Sequence, residues 1–182
     1  MTKFTAIDPD RRVWAVEDLL EPEQVQDLLS LDWLNLPWVR GGGQETWVRR
    51  SIDWQDPDVQ RVSRYITDRL PVINQGLGTE FTACGGQFWL DEPGFTVAMH
   101  TDGELRNTMQ IYWVNASDDY GTGFYYHKNR SHLMHQFASK TNTGYIMLNN
   151  VNADGSQPLL WHGMFNPVPA GHYRLSSYWY FN

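Results

Sequence analysis

Cysteine is nearly absent from this chain, since its 182 residues contain a single one, Cys84. One thiol excludes any disulfide within the chain, which is typical of proteins from a reducing compartment. Long apolar runs are also missing, so the sequence predicts no membrane-spanning helix. The first residues lack the apolar stretch of a secretory signal. We therefore expect a cytoplasmic protein with no membrane partner.

Positive charge is the second shortage. Lys and Arg total 14 against 21 Asp and Glu, which leaves a formal net charge of −7. The basic residues are scattered, and the pair Arg49 and Arg50 is the nearest approach to a cluster. Nucleic-acid binding depends on concentrated positive charge, so we expect no nucleic-acid partner. Binding of small anions remains compatible with this composition.

Aromatic side chains, by contrast, are plentiful. They make up 14% of the chain, and nine of them are Trp. Residues of this type favour strands and pack well in sheets, so their abundance indicates a β-rich core or a cleft walled by aromatic rings. The length is that of one domain with a sizeable core.

The pattern of apolar residues changes near residue 79. Before it, we predict a strand at 13–16 and helices at 17–29 and 57–70, the second of them closed by Pro71. After it, short β-rich segments alternate with turn residues. The strands predicted there are 81–90, 96–101, 108–115, 123–127, 144–149, 159–162 and 174–181. The sequence thus predicts one α+β domain, with a helical N-terminal part (1–78) packed outside a sandwich or barrel (79–182).

Three consecutive glycines, Gly41 to Gly43, stand between Trp38 and Trp47. Such a run suits neither a helix nor a strand, so it predicts a turn. Two interpretations of segment 38–47 stay open, a lid that covers a binding site and an ordinary surface loop.

His100 and Asp102 are the first candidates for chemistry. Residues two apart on a strand point to the same side, so this imidazole and this carboxylate can offer two adjacent ligands to one metal ion. A His-x-Asp triplet is common, however, and a hydrogen-bonded pair on a surface strand explains it equally well.

A third candidate ligand is His162, which ends a predicted apolar strand 60 residues after Asp102. Two His and one carboxylate are the ligand set of a facial iron(II) site, in which three coordination positions stay open. Arg174 and Ser176 then begin the last predicted strand and share one side of it. A guanidinium is the preferred partner of a carboxylate, and a neighbouring hydroxyl can add a further hydrogen bond.

In this order, His-x-Asp, a distal His and Arg-x-Ser, the chain resembles the iron(II)- and 2-oxoglutarate-dependent oxygenases with a double-stranded β-helix, or jelly-roll, core. It is loosely similar to prolyl hydroxylases. Two differences from those enzymes are Trp113, where many of them have Tyr, and Arg174, where many have Lys. The resemblance covers about residues 80–182. Within that range, the stretches 106–115, 121–124, 144–148 and 167–174 are also similar to those enzymes.

The resemblance implies that His100, Asp102 and His162 hold Fe(II). It also implies that Arg174 and Ser176, with Trp113 nearby, bind the cosubstrate 2-oxoglutarate. The implied reaction uses O2, releases succinate and CO2, and hydroxylates a C–H bond of a small molecule or of a peptide side chain, a prolyl residue among them.

The wall of the substrate cavity is predicted with less support from the sequence. Trp89, Arg106 and Tyr125 are candidates to contact substrate, although barrel packing accounts equally well for each aromatic residue. For strand 108–115, either face could line the cavity. Two rival classes remain, a cupin-type metal protein and a non-enzymatic jelly roll that binds carbohydrate or protein. The cupin ligand pattern fits poorly, because Asp102 rather than a second His follows His100.

Overall fold

The computed structural model describes residues 1–8, 10, 12–40, 49–52, 55–102, 107–114, 120–128, 130–148 and 160–182. Over these residues the first part of the chain forms β1 (Lys3–Ala6), β2 (Val13–Glu17), α1 (Pro22–Leu29), a 3₁₀ turn (Trp33–Asn35), β3 (Trp38–Arg40), β4 (Arg49–Ile52), α2 (Pro57–Thr67) and α3 (Leu70–Leu77). None of the described helices is long and apolar enough to cross a membrane.

The second part of the chain is made of strands. They are β5 (Cys84–Asp91), β6 (Val97–His100), β7 (Asn107–Val114), β8 (Gly123–Tyr125), β9 (Leu133–Gln136), β10 (Thr143–Met147), β11 (Trp161–Met164) and β12 (Arg174–Phe181). Each of the seven strands predicted after residue 79 overlaps a strand of the structure, and the predicted β-rich core is confirmed. The last strand has the predicted bounds.

Two antiparallel sheets build the fold. The large sheet has eight strands in the order β1-β2-β10-β7-β12-β5-β4-β3, and the small sheet has four in the order β6-β11-β8-β9. Rings from both sheets meet between them, since Phe124 of β8 packs edge-on against Tyr145 of β10. The other face of the large sheet shares an apolar cluster with the helices, which includes Val59 and Ile66 of α2 and Trp179 of β12.

Capping residues and backbone conformation explain where the helices begin and end. Asp56 caps α2, because its carboxylate accepts hydrogen bonds from the backbone N–H groups of Asp58 and Val59. The predicted first helix starts five residues late, at Pro22, because Asp18 has a positive φ of 54° that interrupts helical geometry. Pro71 does not end the helical region as predicted. It lies in the first turn of α3, where a missing N–H is tolerated, and α3 ends at Gly78 with φ 71°.

Strands β1, β3, β4 and β9 were not predicted. Three of them precede residue 79, so the N-terminal part contributes edge strands to the large sheet as well as helices. Strand β4 has the sequence Arg-Arg-Ser-Ile, which hides its strand character because half of its residues are charged. It pairs with β5, and Arg49 lies opposite Asp91. Residues 41–47 of the glycine-rich segment lie outside the described residues, so its interpretation as a lid stays a prediction.

Candidate metal and cosubstrate site

A cavity of about 550 Å³ opens between the two sheets. This volume is in the range of ligand pockets. The large sheet contributes Arg174, Tyr178 and Tyr180 from β12, and its neighbouring strands add polar and aromatic side chains. The remaining described lining residues are Arg49, Ser51, Gln87, Trp89, Val97, His100, Asp102, Gln110, Thr122, Tyr145, His162, Gly163 and Met164.

His100, Asp102 and His162 come together in the wall of this cavity. The two histidines lie opposite each other, because β6 and β11 pair with His100 in register with His162. Asp102 follows two residues after His100. All three residues offer ligand atoms that lie within 4.8 Å of one another. The two Nε2 atoms lie 3.5 and 3.7 Å from Oδ1 of Asp102. These separations are close to the about 3.0–3.5 Å expected of donor atoms that share one ion, so the three side chains could hold a common metal ion.

The hydrogen bonds of the imidazoles determine which nitrogen is available. Nδ1 of His100 lies 2.9 Å from the carbonyl oxygen of Ala98, and Nδ1 of His162 lies 2.9 Å from that of Leu160. A carbonyl can only accept, so each Nδ1 carries the proton and each Nε2 keeps a lone pair in the neutral ring. Both lone pairs are thus on the nitrogens that face Asp102, as metal binding requires.

The three groups differ in their tendency to ionise. Burial lowers the pKa of His162, which keeps this ring neutral. The pKa of His100 is raised, chiefly by its interaction with the Asp102 carboxylate. Burial alone would raise the pKa of Asp102, but the two histidines and Tyr178 outweigh it and the pKa is lowered. An ionised carboxylate and at least one neutral imidazole are therefore ready for a cation.

Tyr178 positions the second oxygen of Asp102. Its hydroxyl donates to Oδ2 of Asp102 over 3.2 Å, whereas the histidines face Oδ1. The ring of Tyr178 is itself stacked on Trp89, with centroids 4.8 Å apart and an interplanar angle of 12°. The packing of Trp89 thus restricts the group that orients the carboxylate.

The cavity is also lined by Arg174 and Arg49, which form an ionic cluster with Asp91. Arg174 donates from Nε and Nη2 to Oδ2 of Asp91 over 2.9 and 2.5 Å, and from Nη1 to the carbonyl oxygen of Tyr120. Arg49 donates from Nε to Oδ1 over 2.6 Å and from Nη2 to Oδ2 over 3.2 Å. Burial alone would raise the pKa of Asp91, but the two guanidiniums lower it. Asp91 is therefore ionised.

Gln110, Thr122 and Tyr145 line the cavity and take part in hydrogen bonds with one another or with residues behind the wall. The hydroxyl of Tyr145 donates to Oε1 of Gln110 over 2.7 Å, and Nε2 of Gln110 donates to the hydroxyl of Ser176 over 3.1 Å. Tyr112 donates to the hydroxyl of Thr122 over 2.9 Å. Hydrogen-bonding groups in this position can accept or donate to a polar ligand that spans the cavity.

Comparisons of structure identify the fold. The prolyl-4-hydroxylase of Pseudomonas putida superposes with a TM-score of 0.60 at 18% sequence identity, over 94% of this chain and 92% of that one. SnoN, a non-heme α-ketoglutarate-dependent epimerase of nogalamycin biosynthesis, gives 0.66 at 13% identity, over 97% and 80%. HygX of Streptomyces hygroscopicus, with nickel and 2-oxoglutarate bound, gives 0.60 at 11% identity, over 93% and 82%.

The chain has the 2-oxoglutarate oxygenase fold. The predicted similarity to that superfamily, and loosely to prolyl hydroxylases, is confirmed at the level of structure. By sequence alone, no protein-family model and no curated protein matches the chain.

The predicted cosubstrate residues lie in different surroundings in the structure. Arg174 lines the cavity, whereas Ser176 is fully buried beneath Gln110. The prediction for Trp113 is corrected, because its ring lies in the apolar cluster on the helix side and its Nε1 donates to Ser177. Strand alternation explains the difference. In β7, Met109, Ile111 and Trp113 belong to the helix side, and Gln110 faces the cavity.

The predicted substrate residues also differ in their placement. Trp89 lines the cavity. Tyr125 does not, among the described lining residues, and instead its buried ring packs against Phe165. The predicted contact of Tyr125 with substrate therefore stays a prediction. Arg106 lies outside the described residues, so its role stays a prediction.

Several cavity residues were missed by sequence reasoning. Tyr178 could have been predicted from the sequence, because strand alternation from Arg174 places it on the same face of β12. Tyr145 and Gln110 needed a choice of face that the sequence did not provide. Arg49 and Asp91 required knowledge that β4 pairs with β5, and no local pattern reports a pairing between segments 42 residues apart.

Proposed function

We propose that this chain is an iron(II)- and 2-oxoglutarate-dependent oxygenase that hydroxylates a C–H bond of a small molecule or of a peptide side chain. One observation carries the proposal: a two-His, one-carboxylate donor set and a buried guanidinium, Arg174, line the same cavity. The fold of the chain, shared with oxygenases of different chemistry, supports the class of reaction but does not select the substrate.

His100, Asp102 and His162 are the proposed iron ligands. Two neutral imidazoles and one carboxylate leave coordination positions open, as this chemistry requires. When bound, iron supplies the activation of O2 that couples oxidation of 2-oxoglutarate to succinate and CO2 with oxidation of the substrate. The chain itself supplies ligand orientation through the carbonyls of Ala98 and Leu160 and through Tyr178.

Arg174 is the proposed partner of the distal carboxylate of 2-oxoglutarate. It is 1% exposed and lies in a wall with the hydrogen-bonding groups of Gln110, Thr122 and Tyr145. A charge-assisted hydrogen bond is strong where water is excluded. The aromatic rings of Trp89, Tyr178 and Tyr180 add apolar surface to the cavity wall.

An anaerobic titration tests this function. Fe(II) and 2-oxoglutarate are added to the wild-type protein, and the weak visible band of the iron–2-oxoglutarate chelate is recorded. We expect a saturable band in wild type and no band in His100→Ala. In Arg174→Met the band should need about 10- to 150-fold more 2-oxoglutarate, because a charged hydrogen bond is lost. His172→Ala, which removes an exposed histidine, is the matched control and should keep the wild-type band.

Two results would reject the proposal. A folded wild-type protein that binds neither Fe(II) nor 2-oxoglutarate would be a binding module on an oxygenase fold. A band that survives in His100→Ala would place the metal elsewhere. A wild-type band then justifies a search for substrate by succinate release, with free amino acids and prolyl peptides as the first compounds.

A further inference from the structure

The proposed anchor for 2-oxoglutarate raises a question of charge, and the inference below rests on the proposed function. Arg174 is already engaged, because two of its nitrogens donate to the carboxylate of Asp91. A guanidinium paired one-to-one with a carboxylate is neutral overall and attracts a second anion weakly. Arg174 and Asp91 by themselves would therefore form a poor receptor for a dicarboxylate.

Arg49 changes this balance. Strand β5 lies between β12 and β4, and in their registers Asp91 stands opposite Arg174 on one side and Arg49 on the other. One carboxylate thus accepts hydrogen bonds from two guanidiniums. The cluster of Arg49, Asp91 and Arg174 contains two positive charges and one negative charge, so its net charge is +1.

Burial makes the excess charge effective. The side chains of Arg49, Asp91 and Arg174 are 11%, 0% and 1% exposed. Little water reaches the cluster, so an unbalanced positive charge is costly until an anion arrives. Both guanidiniums line the cavity, whereas Asp91 is not among the described residues that do so. A ligand in the cavity therefore meets the two cations and not the carboxylate behind them.

Arg49 is also held in a fixed orientation. Its guanidinium carbon lies 3.9 Å from the ring centroid of Trp89 and 4.3 Å from that of Phe95. These contacts fix the plane of the group, and the two bonds to Asp91 fix its rotation within that plane. Of the five N–H groups of Arg49, two point to Asp91, so three remain on the edges that Asp91 does not occupy.

We propose that Arg49, Asp91 and Arg174 form one anion site with a net charge of +1, which accepts a single carboxylate, the distal carboxylate of 2-oxoglutarate. Arg174 contacts the ligand, and Arg49 is a positioning residue that supplies the charge which Asp91 would otherwise cancel. Asp91 holds the two guanidiniums in place. The affinity for cosubstrate then depends on the sum of the three charges rather than on Arg174 alone.

A charge-restoring double variant tests this inference. Arg49→Gln lowers the net charge from +1 to 0, and Arg49→Gln/Asp91→Asn returns it to +1. The dissociation constant of 2-oxoglutarate is measured anaerobically from the chelate band at saturating Fe(II). We expect Arg49→Gln to weaken binding roughly tenfold or more. The double variant should recover to within about threefold of wild type.

Controls separate charge from shape. Arg50→Gln removes the next guanidinium along β4, which pairs with Glu92 and does not line the cavity among the described residues, and should leave the dissociation constant unchanged. Arg49→Lys keeps the charge but not the planar group, so it should bind 2-oxoglutarate more tightly than Arg49→Gln. Mn(II) affinity, measured in parallel, reports any effect of the lost charge on the metal site itself, because the charge of Arg49 also acts on His100. If Arg49→Gln fails to fold, the double variant and Arg49→Lys still carry the comparison.

Each outcome has one meaning. Equal 2-oxoglutarate affinity in wild type and Arg49→Gln would overturn the inference while leaving the proposed function intact. A double variant no better than Arg49→Gln would show that restoring the charge does not restore binding, which also overturns the inference. Failure of the wild-type protein to bind 2-oxoglutarate would instead remove the proposed function on which the inference rests.

Discussion

The two faces of β12 carry different kinds of side chain. Toward the helices it presents Leu175, Trp179 and Phe181, which belong to the large apolar cluster. Toward the small sheet it presents Arg174 and Tyr178, which line the cavity. Neighbouring residues of one strand thus serve the stability of the fold and the chemistry of the site in alternation. The role of a residue in β12 thus follows from whether its position along the strand is odd or even.

We expect the largest change in stability from a substitution on the face of the large sheet that packs against the helices. Trp113→Ala should lower the free energy of unfolding by about 3–5 kcal/mol, because a fully buried indole is removed from the apolar cluster. The dissociation constant of 2-oxoglutarate, measured below the unfolding temperature, should stay unchanged. Denaturant unfolding and the anaerobic titration check the two parts. If Trp113→Ala does not fold, Trp113→Phe replaces it. Weaker 2-oxoglutarate binding in the folded variant would break the division between the faces.

An intermediate effect is expected on the cavity face. Tyr178→Phe keeps the ring stacked on Trp89 but removes the hydroxyl that donates to Asp102. Loss of such a partner of a metal ligand typically weakens metal affinity about 10- to 100-fold. Competition between the protein and a chelator for Mn(II) measures the change, and thermal unfolding of the metal-free protein should be nearly unaffected. Tyr126→Phe, at an exposed ring, is the control. Unchanged Mn(II) affinity in Tyr178→Phe would remove the positioning role.

The smallest effect is a dependence of stability on pH. The pKa of Asp91 is lowered in the folded protein, despite burial, by Arg49 and Arg174. A depressed pKa stabilises the fold at pH values above the ordinary Asp pKa of about 3.9, and this contribution is lost as the pH falls through the folded value. The difference in unfolding free energy between wild type and Asp91→Asn should therefore be constant from pH 7 to 5 and shrink below about pH 4.

The slope of that change is limited to about 1.4 kcal/mol per pH unit, the value for one proton. Glu23→Gln, at an exposed carboxyl of α1, controls for the removal of a surface charge. A wild-type advantage over Asp91→Asn that persists unchanged to pH 2 would mean that the carboxylate contributes by shape rather than by charge.

The candidate metal ligands stand out in the sequence because each carries its own signal. His100 and Asp102 form a triplet that strand alternation converts into adjacent ligands, and His162 and Arg174 follow at the spacing of a known superfamily. The anion cluster could not be predicted in the same way. In the sequence Arg49 is only part of a weak basic pair and Asp91 carries no signal, because their association depends on the pairing of β4 with β5.

Trp113 is a residue whose role the sequence predicted wrongly for the same reason. Its position in a motif favoured a cosubstrate contact, and only the packing of the helices against the large sheet shows that its face is turned away. Local periodicity in the sequence predicts seven of the eight described strands of the second part, the capped helix α2 and the order of the candidate ligands. Two features follow only from the tertiary structure: which face of each strand lines the cavity, and which charged residues from distant segments lie in contact. Those depend on long-range pairing, which no local pattern of residues contains.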